Sequence, residues 1–202
     1  MIILFQNFGE VMREYISDIA FTDTVKKIQE IKESRSIYAN IEQRGSWQDT
    51  VTHQLRDFIA ERDSFYMSTV NSEGQPYIQH RGGPKGFLKV IDSRTLGFAD
   101  FSGNRQYISY GNLEDNNKIC LFFMDYPNRT RIKLWGTAEI NEDDSNLMEQ
   151  LSVSDYKAQV ERAYIIHIEA WDRNCPQHIM PRYTKQEIGD LDICPSCEPT
   201  DE

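Results

Sequence analysis

Residues 65–99 read FYMSTV-NSEG-QPYIQHR-GGPKG-FLKVI-DSR-TLGFA, and the punctuation of this stretch decides the fold. Four short runs rich in β-branched and aromatic residues (65–70, 77–81, 87–91 and 95–99) are separated by polar or glycine-rich turns. Asn71-Ser72-Glu73-Gly74 and Asp92-Ser93-Arg94-Thr95 are too compact for a crossover helix, so they imply antiparallel neighbours. Similar runs follow at 118–125, 131–141 and 161–171. Strands at this spacing predict a barrel or sandwich rather than a layered α/β fold.

Upstream, the apolar spacing turns helical over 21–33 and 46–62, with Trp47, Val51, Leu55, Phe58 and Ile59 on one stripe. Ser46 with Asp49 three residues on approximates a capping box for the second of these helices. Residues 104–114 read as a helix opened by Ser102-Gly103, and 143–151 as another before the last long strand. The resulting expectation is a mainly β fold with flanking helices (α+β). It consists of a helical extension over 1–62, the β domain over 63–172, and an irregular tail over 173–202 with six acidic and no basic residues from Glu187 onward.

With 202 residues the chain is long enough for about one domain, and its apolar runs are far shorter than the roughly 18 residues of a membrane-spanning helix. Residues 1–5 are apolar but have no basic segment before them, and Glu10 soon follows, so the chain reads as cytoplasmic. The net charge of -10 disfavours nucleic acid and anionic lipid as partners. One window departs from it. Between Gln79 and Gln106, Arg81, Lys85, Lys89, Arg94 and Arg105 oppose only Asp92 and Asp100, and five of the eleven glycines fall there. Such a segment suits either a local phosphate cradle or a hairpin-rich surface with solvated charges.

The phosphate reading has a physical basis. Helix-start amides after Ser102-Gly103-Asn104-Arg105 carry partial positive charge, Arg105 can make paired hydrogen bonds, and Arg81, Lys85 or Lys89 can add charge from adjoining strands. Arg81-Gly82-Gly83-Pro84-Lys85-Gly86 lacks the G-x-G-x-x-G order of a dinucleotide fold, and no P-loop is present.

These residues carry a resemblance. Gln75-Pro76-Tyr77, His80 through Val90, and Thr95-Leu96-Gly97-Phe98-Ala99-Asp100 resemble the FMN-binding split barrel of the pyridoxamine 5'-phosphate oxidase-related family. The likeness continues through Gly103-Asn104-Arg105 and Asn112-Leu113-Glu114-Asp115-Asn116 into Ile119-Cys120-Leu121-Phe122-Phe123. It closes on Arg131-Ile132-Lys133-Leu134-Trp135-Gly136-Thr137-Ala138-Glu139, similar to the family's long strand ending in a G-x-A turn. The resemblance spans roughly residues 63 to 171 and implies a six-stranded Greek-key barrel, a homodimer with FMN in two interface clefts, and an FMN-dependent oxidoreductase. Its implied partners are a small-molecule substrate and an electron donor such as NADH or NADPH. The implied cofactor-binding set is His80, Arg81, Gly82, Gly83, Pro84, Lys85, Lys89, Phe98, Ala99, Asp100, Asn104, Arg105 and Gln106. Phosphate falls to Arg81, Lys85, Lys89, Asn104 and Arg105, and the isoalloxazine edge to 98–100. Arg105-Gln106 stands where the oxidases proper commonly carry Arg-Lys, so vitamin B6 phosphate oxidation does not follow.

FMN performs the redox chemistry itself, so the sequence need not contain a catalytic triad. His80 is placed to face either flavin or core, and His178 either the flavin of a partner or a tail turn; His53 and His167 read as structural. Cys120 reads as a small buried hydrophobe. Cys175-x-x-His178 and Cys194-x-x-Cys197 have the spacing of a tetrahedral zinc site or of an idle or redox-active dithiol, and no metal is assigned. Tyr107, Tyr110, Tyr126, Trp135 and Trp171 are open to core, interface or stacking roles. The alternatives to an oxidoreductase are a flavin carrier or redox sensor without turnover, and a zinc-binding interaction module.

Overall fold

The computed structural model describes residues 13–154, 156–174 and 176–190. Among these residues seven strands form one sheet: β1 (Ser64–Val70), β2 (Pro76–Gly82), β3 (Lys89–Val90), β4 (Thr95–Phe101), β5 (Lys118–Asp125), β6 (Thr130–Asn141) and β7 (Val160–Asn174). Their order is β2-β1-β5-β6-β7-β4-β3, and every pairing is antiparallel. The expected six strands are therefore seven in an open sheet, because β2 and β3 end it without pairing to each other. Strand β3, expected over 87–91, is only two residues long. Phe87 and Leu88, expected to be in it, are instead turned into the core by a tight bend in which Phe87 N–H donates to the Pro84 carbonyl.

The predicted turns form. Asn71 Oδ1 accepts from Glu73 and Gln75 amides, and Gly74 takes φ +84, closing the β1–β2 hairpin. Asp92 Oδ1 accepts from Arg94 N–H at 2.7 Å to close β3–β4.

The sheet curls until strands remote in its order meet. Phe65 on β1 packs edge-on against Phe98 on β4 at 5.5 Å, although β5, β6 and β7 lie between them in the sheet. Phe98 in turn stacks on Tyr164 at 4.9 Å, and Phe87 and Phe123 complete an aromatic centre. Burial of each such ring stabilises the fold by about 1.5 to 3 kcal/mol before ordering entropy is set against it.

Helices flank the sheet: α1 (Asp23–Ile31), α2 (Arg35–Gln43), α3 (His53–Ala60), α4 (Ile108–Asp115), α5 (Ser145–Leu151) and α6 (Lys185–Asp190). The helix expected over 46–62 begins only at His53, capped by Thr52, whose hydroxyl accepts from Leu55 N–H. Gln48 explains the delay. Its N–H and C=O both pair with Trp171 of β7, which removes them from any helical ladder. Asp49 pairs with Arg94 instead of capping. Leu55 and Ile59 still reach the core, as their stripe implied, and Trp47 stacks on Trp135 at 5.0 Å. Helix α2 and helix α6, within the expected irregular tail, were not anticipated.

Candidate functional site

The alternation of β2 sets one side of a cleft. Tyr77, Gln79 and Arg81 point into it, while Ile78 and His80 point away. The end of β4 contributes Asp100, the start of β7 contributes Glu161, Arg162 and Tyr164, and the loop 103–107 with the first turn of α4 forms the lip. The space is about 450 Å³, open mouth included. Helix α4 is fixed to the hairpin by Ser109, whose hydroxyl donates to Gln79 Oε1 at 2.7 Å, and by Asn112, which donates to Thr69 Oγ1 at 2.9 Å.

The floor is a buried charge network. Asp100 Oδ1 accepts from Arg81 Nη1 at 2.5 Å, and its Oδ2 accepts from Arg162 Nη1 at 3.3 Å. Arg81 Nη2 donates to the Tyr164 hydroxyl at 3.0 Å, while Arg81 Nε is buried with no partner among the described residues. Arg162 also donates to Glu142 and Glu161, and its guanidinium lies 5.3 Å and 5.1 Å from the rings of Tyr107 and Tyr110. Burial raises the Asp100 carboxyl above its ordinary range, outweighing the two arginines that favour its charge. The Tyr164 phenol is likewise pushed up by burial, against the pull of Arg81. Burial works against the charge of Arg162, but its bond to Glu142 and the fields of Asp100, Glu142 and Glu161 outweigh it, so the group is held more firmly charged.

The lip differs in kind. Arg105 and Tyr107 both take left-handed backbone, at φ 58 and φ 52. This is why the helix expected from residue 104 begins at Ile108. Gln106 N–H donates to Asn104 Oδ1, and the first turn of α4 has no side-chain cap. Arg105 has no carboxylate within 4 Å among the described residues. The cleft thus presents an unpaired guanidinium and open helix-start amides above a floor of neutralised charge, a set that suits an anion.

Of the residues expected to bind a cofactor, the structure brings Arg81, Asp100, Asn104, Arg105 and Gln106 together. His80 is exposed on the outer face beside Tyr66, their rings 5.6 Å apart. Gly82 and Gly83 turn the chain at the end of β2, where Gly83 N–H donates to the Asp63 carbonyl and a Cβ would strike the Phe87 ring. Pro84 belongs to the same bend. Lys85 is exposed and faces Glu61 at 3.3 Å. Lys89 donates at 2.7 Å to both the Gln150 and Ser152 carbonyls at the end of α5. Phe98 is in the aromatic core, and Ala99 faces a second cluster with Leu151, Ala163 and Ile165.

Sequence reasoning missed Arg162, Glu161, Tyr164, Gln79 and Tyr77. The signal for Arg162 was present: a guanidinium two residues before Tyr164 at the head of an apolar strand must find buried partners. Cys175, Cys194 and Cys197 lie outside the described residues, and His178 is an exposed turn residue at φ 62. Among the described residues no group of three His, Cys, Asp or Glu side chains converges on a metal position, and no helix is long and apolar enough to cross a membrane.

The profile of the pyridoxamine 5'-phosphate oxidase family matches residues 51–182, and the chain belongs to this family. No functionally curated protein matches it. Among solved structures it is similar to HupZ of Group A Streptococcus, with a TM-score of 0.51 and 22% identity over 66% of this chain and 99% of that one. It is also similar to an FMN-binding protein from Syntrophomonas wolfei subsp. wolfei, with a TM-score of 0.51 and 15% identity over 72% of this chain and 97% of that one. At these identities the likeness is one of fold.

Proposed function

We propose that this protein is an FMN-dependent oxidoreductase that works as a homodimer, with the flavin phosphate held at the lip of the arginine-lined cleft. The observation that carries the reading is the unpaired Arg105 guanidinium beside the uncapped first turn of α4. A phosphate there accepts charge-assisted bonds from Arg105 and amide bonds from the turn, with Asn104 and Gln106 as neutral donors. The residues present therefore fit the phosphate end of the cofactor. When bound, FMN supplies the hydride or electron transfer. The chain's own groups bind and orient. Arg81 and Arg162 are held by Asp100, Glu142 and Glu161 and so fix the floor in place, and the Tyr107 and Tyr110 rings shield Arg162 from water.

The outer face of the β1–β2 hairpin supports the homodimer reading. Ile78 is 65% exposed and Tyr66 41% exposed there, an apolar strip directly behind the cleft wall that suits a second copy. The substrate is a small molecule, and NADH or NADPH is the expected electron donor.

The test is an absorbance spectrum of purified protein, identification of any released chromophore, and steady-state NADH and NADPH oxidation with several acceptors. Released FMN together with turnover is the expected result. FMN without turnover makes the protein a carrier or sensor, and a colourless protein that refuses added FMN overturns the reading.

A further inference from the structure

A second hollow, about 560 Å³ with its open mouth, lies between α3 and the ends of β5, β6 and β7. It is remote from the cleft. Arg162 and Trp171 are nine residues apart on β7, about 30 Å of extended chain. Its floor is apolar, made by Leu55, Phe58, Ile132 and Trp171, of which Leu55, Ile132 and Trp171 are buried.

The walls are fixed. Trp171 is tied at its backbone to Gln48 in both directions, and its indole Nε1 donates to the Thr50 carbonyl at 2.8 Å. The ring is therefore held in place before any ligand arrives, which reduces the ordering a ligand must impose.

The charges at the rim are unequal. Asp125 is buried and its carboxylate is engaged by Arg62 at 3.1 Å and by Asn128 at both oxygens. Arg173 is exposed, donates only to the neutral Thr130 hydroxyl at 3.2 Å, and has no carboxylate within 4 Å among the described residues. The charge this hollow offers a visitor is a guanidinium.

We infer that this hollow is a binding site for a small amphipathic carboxylate, its apolar body of about aromatic-ring size seated on Leu55, Phe58, Ile132 and Trp171 and its anionic end held by Arg173. The combination is what such a ligand requires: a preformed apolar bed with one convergent polar group that fixes orientation. A neutral analogue leaves Arg173 without its anion, and a cation meets it with repulsion. The inference does not depend on flavin binding.

Isothermal titration of the full chain with 3-phenylpropionate tests it, with 3-phenylpropanol and 3-phenylpropylammonium as charge controls. Saturable one-to-one binding of the carboxylate is expected, weaker by at least about tenfold for the alcohol and absent for the ammonium. Arg173→Gln should weaken binding by a similar factor. Gln54→Trp, at the exposed rim, should block it, and Arg105→Ala should leave it unchanged. Both rim positions are exposed, so thermal melts of the variants confirm that the fold is intact. Absence of saturable binding, equal affinity in Arg173→Gln, or loss in Arg105→Ala with retention in Arg173→Gln overturns the inference.

Discussion

Arg81 on β2 and Asp100 on β4 are joined at 2.5 Å although four strands separate β2 from β4 in the sheet. Their pair closes with side chains the gap that the backbone leaves open, and Tyr164 and Arg162 of β7 brace it from either side. Removing one member of a buried pair strands its partner. Arg81→Gln is expected to lower the unfolding free energy by about 3 to 5 kcal/mol, measured by chemical denaturation. An unchanged midpoint would mean that packing of Phe65 on Phe98 alone holds the curl.

The same network predicts a pH effect with a definite sign. Burial lifts the Asp100 carboxyl above its ordinary value of 3.8, so the folded state holds this proton more tightly than the unfolded state does. The stability contributed by this difference is complete below the unfolded value and is lost as pH rises through the folded one. Wild type should therefore lose stability over that interval relative to Asp100→Asn, which lacks the titration. The side-chain carboxyl carbon of Asp100, followed by NMR, should titrate above the usual range. In Arg81→Gln it should move higher still, because one of its two stabilising cations is gone.

Lys89 gives a sharper division between structural and binding roles. Its ammonium caps two carbonyls at the end of α5, so Lys89→Met should cost about 1 to 2 kcal/mol of stability through that helix end. Flavin affinity, compared by fluorescence titration, should stay within about twofold of wild type. Weakened flavin binding at unchanged stability would return Lys89 to the phosphate.

The contrast between Lys89 and Arg105 shows what the sequence could and could not disclose. Strand positions were legible because period and turn chemistry are local: Asn71, Gly74 and Asp92 act on their own neighbours. The start of α3 was not, since Gln48 follows a partner more than a hundred residues away in preference to its own helical spacing. Basic residues within one window looked equivalent in sequence. The pleat then sent Arg81 inward and His80 outward, and the curl brought Lys89 to α5 and left Arg105 open. That Arg162 needs buried partners was legible, but which they are was not, since Glu142 and Asp100 come from other parts of the chain.

Gly136 offers a test of the sheet itself. The run expected over 131–141 already placed it in a strand, and it lies within β6 and not in the G-x-A turn that the resemblance implied; there the pairing with β7 slips at Trp135/Gly136. An added Cβ would fall 2.0 Å from the His167 carbonyl oxygen, a backbone atom that cannot rotate away. Gly136→Ala should therefore destabilise the protein by at least about 2 kcal/mol. Amide exchange should accelerate in β6 and β7 first. Wild-type stability in this variant would show that the bulge is free to open without strain.

Arg105→Ala isolates the proposed phosphate contact from the fold. Arg105 sits on the exposed lip and has no ionic partner among the described residues, so the apo protein should melt as wild type does. A charge-assisted bond to phosphate contributes about 1.5 to 3 kcal/mol, which corresponds to a rise in the FMN dissociation constant of about tenfold or more. Riboflavin, which lacks the phosphate, should bind wild type and variant alike. His53→Ala, an exposed position at the start of α3 and outside the cleft lining, is the matched control and should leave both affinities unaltered. If FMN affinity survives Arg105→Ala, the anion is held elsewhere in the cleft, and the orphaned Nε of Arg81 becomes the next donor to remove.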